Sequence, residues 1–236
     1  MNAVSVKKEE DGIEIIRRLS EQFSSNLSFA LAKSLPEAGR VELKSRCIAS
    51  IGEILRESAT SDTHREIAGI YDEVFADCIC SLYLAAQGLD KPAQVVMRRV
   101  LELGVAAVYL WDVPHVFWGW KQYDQDLSFN EMIEQLSAPS YLHFVAVENG
   151  KSEADQICDA SLARKEYRAL SNTVHGKATT FETPLTDRFQ HSDADWELHI
   201  TRLEAIQDLI LSLSSGRFRI IREQLLIKQP QLILIK

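Results

Sequence analysis

The sequence predicts an all-α protein, an antiparallel bundle of about six to eight helices. Apolar residues recur at three- and four-residue intervals through most of the chain. The breaks between these stretches are short and carry capping or helix-stopping residues. The strand runs and glycine turns of a Rossmann or α/β-hydrolase fold are missing. At 236 residues the chain is long enough to bury a substantial core.

Taken in order, Asp11 to Ser34 places Ile15, Leu19, Phe23, Leu27, Ala30 and Leu31 at helical intervals. Leu35-Pro36 stops that helix, because proline disfavours helical geometry at the residue before it. A second helix runs from Glu37 to Arg56 on Val41, Ile48, Ile51 and Leu55. Residues 1–60 are thus expected to form an N-terminal helical hairpin packed on the bundle, and 61–236 the bundle with a C-terminal extension. After a polar break at 58–62, Thr63 and Glu66 make a capping box for a helix through Tyr71, Val74 and Cys78 to Gln87, ended by Gly88.

Asp90-Lys91-Pro92 is a start signal for the most apolar helix, which continues to Trp111 and is expected at the centre of the bundle. It carries Arg98, Arg99 and Glu102, with both arginines in helical reach of the glutamate. An acid so deep in an apolar segment requires a partner if buried, either as an ion pair of the fold or beside an active site. Between Val113 and Trp120 the aromatics Phe117, Trp118 and Trp120 are expected to cap the core or form a protein interface, with base stacking as the functional alternative. Ser128 and Glu131 form a second capping box, and Tyr141 to Val147 fits either helix or strand. Ser152 opens the helix that ends at His175, through Ile157, Leu162 and Leu170. A loop from Lys177 to Ser192 holds Asp187, Arg188 and His191. Asp193 opens the last long helix, ended by Gly216, and a short helix precedes the apolar tail Gln231 to Lys236, which packs back or meets a second subunit.

A net charge of −8, from 26 Lys and Arg against 34 Asp and Glu, excludes a broad nucleic-acid footprint and leaves room only for a focused cationic site. Cys47, Cys78, Cys80 and Cys158 form no C-x-x-C pair, which points to reduced thiols. The charged stretch Met1 to Asp11 lacks the apolar core of a signal, and the apolar run Leu103 to Trp111 is too short to span a bilayer. The expectation is a cytoplasmic protein without membrane contact. No phosphate-binding glycine loop, H-E-x-x-H or G-x-S-x-G occurs, and none of the six histidines pairs at i,i+4. Neither a metal nor a cofactor is expected.

What remains is Tyr167-Arg168-Ala169-Leu170-Ser171-Asn172-Thr173-Val174-His175-Gly176-Lys177. Arg168 and His175 are seven positions apart, nearly two turns, so they share one helix face with roughly 10 Å of rise between them. Ser171 lies nearest that face and Asn172 on its flank. Gly176 suits the left-handed position after a helix end. A permanent cation, an imidazole and small polar groups on one stripe can hold a phosphodiester and move protons around it. The structural alternative is a solvated arginine and a histidine suited to the negative end of a helix.

This stripe, with its six residues between Arg168 and His175, resembles the motif of the HEPN superfamily, helical-bundle proteins with Arg and His near the end of a long helix. Pro92 to Glu102, leading into Tyr109-Leu110, also resembles their upstream helix, and the likeness covers roughly residues 70–213. The resemblance implies a metal-independent endoribonuclease of a prokaryotic toxin or antiphage defence system. Arg168 and His175 would then be catalytic, Ser171, Asn172 and Glu102 supporting, and Lys177 and Tyr167 in contact with substrate. RNA, with tRNA as one candidate, would be the substrate, and a homodimer the working form, with an antitoxin or defence protein as a further partner. The alternative the resemblance leaves open is a non-catalytic helical module that binds a partner protein or nucleotide.

Overall fold

Helical periodicity in the sequence becomes helix over most of the described residues. The computed structural model describes residues 13–153, 155–177 and 189–231, and every regular element among them is helical. In chain order these are α1 (Glu14–Lys33), α2 (Leu35–Ser58), α3 (Asp62–Ala68), α4 (Ile70–Ala86), α5 (Asp90–Asp112), α6 (Pro114–Gln122), α7 (Phe129–Ser137), α8 (Pro139–Glu148), α9 (Ala160–Val174), α10 (Asp193–Arg217) and α11 (Arg219–Lys228). The helices outnumber the six to eight expected because α3, α6, α7 and α8 are short pieces between local breaks.

Those breaks have identifiable causes. Pro36 sits in the first turn of α2, where its missing N–H leaves no bond unmade. The expected helix from Thr63 to Gln87 is divided at Gly69, whose N–H bonds Glu66 O at 3.0 Å in a three-residue closure. Its cap is Ser61 rather than Thr63, since Ser61 Oγ accepts the His64 N–H at 3.2 Å. Tyr141 to Val147 is helical, within α8.

Glycine serves two different ends here. Gly88 and Gly176 follow α4 and α9 with φ of 80° and 58°, which a side chain would strain. Gly216, expected to stop α10, instead lies inside it. A β-carbon there would sit 2.5 Å from Ile157 Cγ2, so the glycine is a notch that receives Ile157. The same contact bears on α9, which starts at Ala160 rather than Ser152. Ile157 and Cys158 are buried in non-helical chain, and Asp159 then caps the helix by accepting the Leu162 N–H at 2.9 Å.

At the centre lies α5, with Met97, Val100, Leu101, Val105 and Leu110 fully buried and α4, α7, α9 and α10 packed around it. Each such side chain contributes about 1.5–3 kcal/mol on leaving water. From the segment 1–60, α2 adds Val41, Ile48, Ile51 and Leu55 to the same cluster as Tyr71, Leu203 and Ile210. Most of α1 stays exposed, but its buried Asn26 donates to Gln87 O (2.8 Å) and Phe189 O (2.9 Å) and so ties α1 to the end of α4. At the far end of α5, Arg217 grips Asp112 with two bonds of 2.8 and 2.6 Å while Tyr141 Oη donates to the same carboxylate at 2.8 Å.

All four cysteines are free thiols. Burial pushes Cys47 and Cys158 up to about 11 and Cys78 to about 12, which suppresses the reactive thiolate. Among the described residues no helix is long and apolar enough to cross a membrane. Asp187, Arg188 and Leu232 to Lys236 lie outside the described residues, so the loop cluster and the apolar tail are not placed.

Candidate functional site

Helix α9 carries two chemically different faces. Ala163, Glu166 and Leu170 turn inward and are buried. Glu166, only 9% exposed, accepts from Arg202 Nε of α10 at 2.8 Å. The Tyr167 ring stacks on Phe129 of α7 with centroids 4.2 Å apart, and its hydroxyl accepts from Arg98 Nη2 at 2.9 Å. Arg98 in turn pairs with Glu102 at 3.0 Å. Near the helix end Thr173 Oγ1 donates to Gln94 Oε1 at 2.6 Å. These contacts lock α9 to α5, α7 and α10.

Two of the expected site residues are therefore drawn into these contacts, Tyr167 on the inner face of α9 and Glu102 on α5. Tyr167 and Glu102 are joined to each other through Arg98, and no contact among the described residues links either to Arg168 or His175. Arg99 turns the other way and pairs with Asp77 at 2.7 Å and Glu73 at 2.8 Å on α4. Ser171 Oγ donates back to Tyr167 O at 2.7 Å, which commits its proton within the helix.

Outward, Ser161, Arg164, Lys165, Arg168, Ala169 and Asn172 line an open groove of about 580 Å³. Their positions step by three and four, the spacing of one helix face. Lys165 is 78% exposed and approaches Glu166 only at 3.9 Å. Arg164, Arg168, Asn172 and His175 make no side-chain hydrogen bond or ion pair with any described residue. The exposed charges of α9 are thus all positive, while its one acid is buried against Arg202. In a chain of net charge −8 this is a local reversal of sign, and a cluster of like cations raises the local potential toward anions.

His175 is the C-cap residue, exposed and three positions beyond Asn172. It does not line the groove itself. Gly176 donates to Thr173 O and Lys177 to Asn172 O, both at 3.1 Å, with Gly176 left-handed between them. This double closure ends the helix and carries exposed Lys177 away from its axis.

Two other histidines, His64 and His199, are committed to the fold. His64 Nε2 lies 2.9 Å from Trp111 O and its Nδ1 2.8 Å from Ser61 Oγ. His199 is buried with Nε2 3.2 Å from Ser81 Oγ, and burial pushes its pKa down to about 3. Since Ser81 gives its own proton to Ala93 O at 2.8 Å, His199 is the donor to Ser81. Among the described residues no such contact holds the rings of His175, His115 or His143. The aromatic segment caps the core: Phe117 is buried, with Trp118 and Trp120 rings 5.5 and 6.3 Å from it. Among the described residues no group of three His, Cys, Asp or Glu side chains is placed to hold a metal ion.

Sequence reasoning overlooked Arg164, Lys165 and Ser161. The signal was present, since they precede Arg168 by four, three and seven residues and so share its helix face. Comparison with family models, with curated proteins and with solved structures finds no match for this chain.

Proposed function

We propose that the outward face of α9 is a phosphodiester site and that the protein is a HEPN-like, metal-independent endoribonuclease of a prokaryotic toxin or antiphage defence system. The observation that carries this reading is the exposed Arg168, unpaired among the described residues, in a groove whose described charged groups are all cationic, with exposed His175 two turns along the same helix. Arg168 neutralises the non-bridging oxygens of the scissile phosphate, where charge develops in the transition state. The ribose 2′-oxygen attacks phosphorus as the bond to the 5′-oxygen breaks, leaving a 2′,3′-cyclic phosphate and a 5′-hydroxyl. His175 accepts the 2′-hydroxyl proton or supplies the proton that the leaving oxygen takes up. In a homodimer the two His175 side chains can divide these duties across a shared cleft. Asn172 lies in the groove with a free amide for the phosphate, and Lys177 adds charge at the helix end.

One observation favours a second reading. Among the described residues His175 has no partner to orient its ring, whereas a general base is commonly held by a third group. A non-catalytic module that uses the same cationic face to hold an anionic partner needs Arg168 but no oriented imidazole.

Product chemistry tests the first reading. Purified protein incubated in EDTA with tRNA or total RNA should yield ends carrying 2′,3′-cyclic phosphate. The same RNA with 2′-deoxy substitution at the cut site should resist. Cleavage of the deoxy-substituted strand at the same rate contradicts 2′-hydroxyl attack, and binding without cleavage selects the module.

A further inference from the structure

We propose that Arg164 and Lys165, with Ser161, form a second phosphate subsite one helical turn before Arg168, so that a single strand is held on α9 at two successive phosphates. The inference rests on the reading that Arg168 holds a phosphodiester. Arg164 and Arg168 are four residues apart on one face, about 6 Å along the axis. Successive phosphates of an extended nucleic-acid strand are separated by a similar distance. Both guanidinium groups enter the same groove, which Ser161 bounds at its N-terminal end and Asn172 at the other.

Charge distribution sets these residues apart from the arginines that the fold pairs with carboxylates. Arg40, Arg56, Arg98, Arg99, Arg202 and Arg217 are each paired to a carboxylate. Arg164 and Arg168 meet no carboxylate among the described residues, and at i,i+4 two like charges cost a helix about 0.2–0.5 kcal/mol. A polyanion across both removes that repulsion and releases its own counterions. The cations form one row on one helix, which matches one phosphodiester backbone rather than the two rows of a duplex. Asn172, between the row and His175, offers an amide donor and acceptor.

Fluorescence anisotropy with labelled dT12 measures this subsite without turnover, because a strand lacking 2′-hydroxyls cannot be cut by internal attack. Between about 50 and 200 mM salt the wild type should show a log–log slope of about −1.4, as expected for about two phosphate contacts on a single strand. The Arg164→Gln/Lys165→Gln double variant should lose roughly 0.7 from that slope, as the loss of one phosphate contact requires. Arg46→Gln, removing an exposed cation of α2, should leave the slope unchanged, and melting temperatures of all three proteins should agree. A double variant with wild-type slope overturns the subsite, as does a wild type that cleaves RNA but does not bind dT12; the proposed nuclease survives both outcomes. Equal affinity for the dT12·dA12 duplex overturns the single-strand assignment. Binding as expected with no cleavage of any RNA leaves the subsite standing and removes the nuclease.

Discussion

The two faces of α9 differ in how their polar groups are satisfied. On the inner face Glu166, Tyr167 and Thr173 meet Arg202, Arg98 and Gln94 respectively. On the outer face Arg164, Arg168 and Asn172 meet no described residue, although they sit on the same helix at neighbouring positions. Polar groups removed from water need partners and solvated ones do not, so the inner contacts report on folding. The outer groups are free to report on a ligand. Side-chain type alone does not separate the two: Arg98 and Arg168 are the same residue with opposite duties.

That contrast predicts opposite effects of substitution. The largest falls on the outer face: Arg168→Ala and His175→Ala should each lower RNA cleavage by about 10²–10⁴-fold, the usual contribution of a positioned acid–base or charge-stabilising group. Their stability should stay within about 0.5 kcal/mol of wild type by thermal melting. On the inner face, Arg202→Ala strands a buried carboxylate and should cost about 3–5 kcal/mol in chemical denaturation. Refolded Arg202→Ala protein that melts like wild type would show that Glu166 is not held by this pair. Tyr167→Phe should cost about 1 kcal/mol, the worth of one hydrogen bond, and leave cleavage per folded molecule unchanged. A loss of cleavage without a loss of stability would return Tyr167 to the substrate, as the family resemblance implies.

The smallest effect concerns pH. Burial first, and the neighbouring Asp195 charge second, push the Asp90 carboxyl up to about 6. A raised folded value means the native state holds that proton more tightly than the unfolded chain, so the associated stability is present at low pH and lost as pH rises through about 6. Asp90→Asn should melt like wild type below about pH 4 and slightly above it at pH 7, by on the order of 1 kcal/mol. His199 runs the other way. Its lowered value, near 3, means stability is held above about 6.5 and lost as pH falls toward 3, and His199→Gln should blunt that acid limb.

Helix class and the Gly88 and Gly176 ends were legible because they depend on neighbours within a few residues. The start of α9 was not. Ile157 fits a helical period, yet its position is decided by the Gly216 notch, far along the chain. Gly216 itself resembled a helix stop for the same reason. Glu102 was expected to need a partner if buried; it is half-buried and pairs with Arg98, but one sequence cannot choose between Arg98 and Arg99, which the fold sends to different helices. On the candidate site, Arg168 and His175 were legible as a spaced pair. Their exposure, and the addition of Arg164 and Lys165 to the row, depend on which face of α9 meets α5.

The most direct measurement is a time course of one RNA in EDTA with wild type, Arg168→Ala and His175→Ala, each with its melting curve. Cleavage by the wild type alone, with three coincident melting temperatures, is the expected result. Cleavage retained by both variants, or lost only together with the fold, would contradict the claim that the outward face of α9 acts on phosphodiesters.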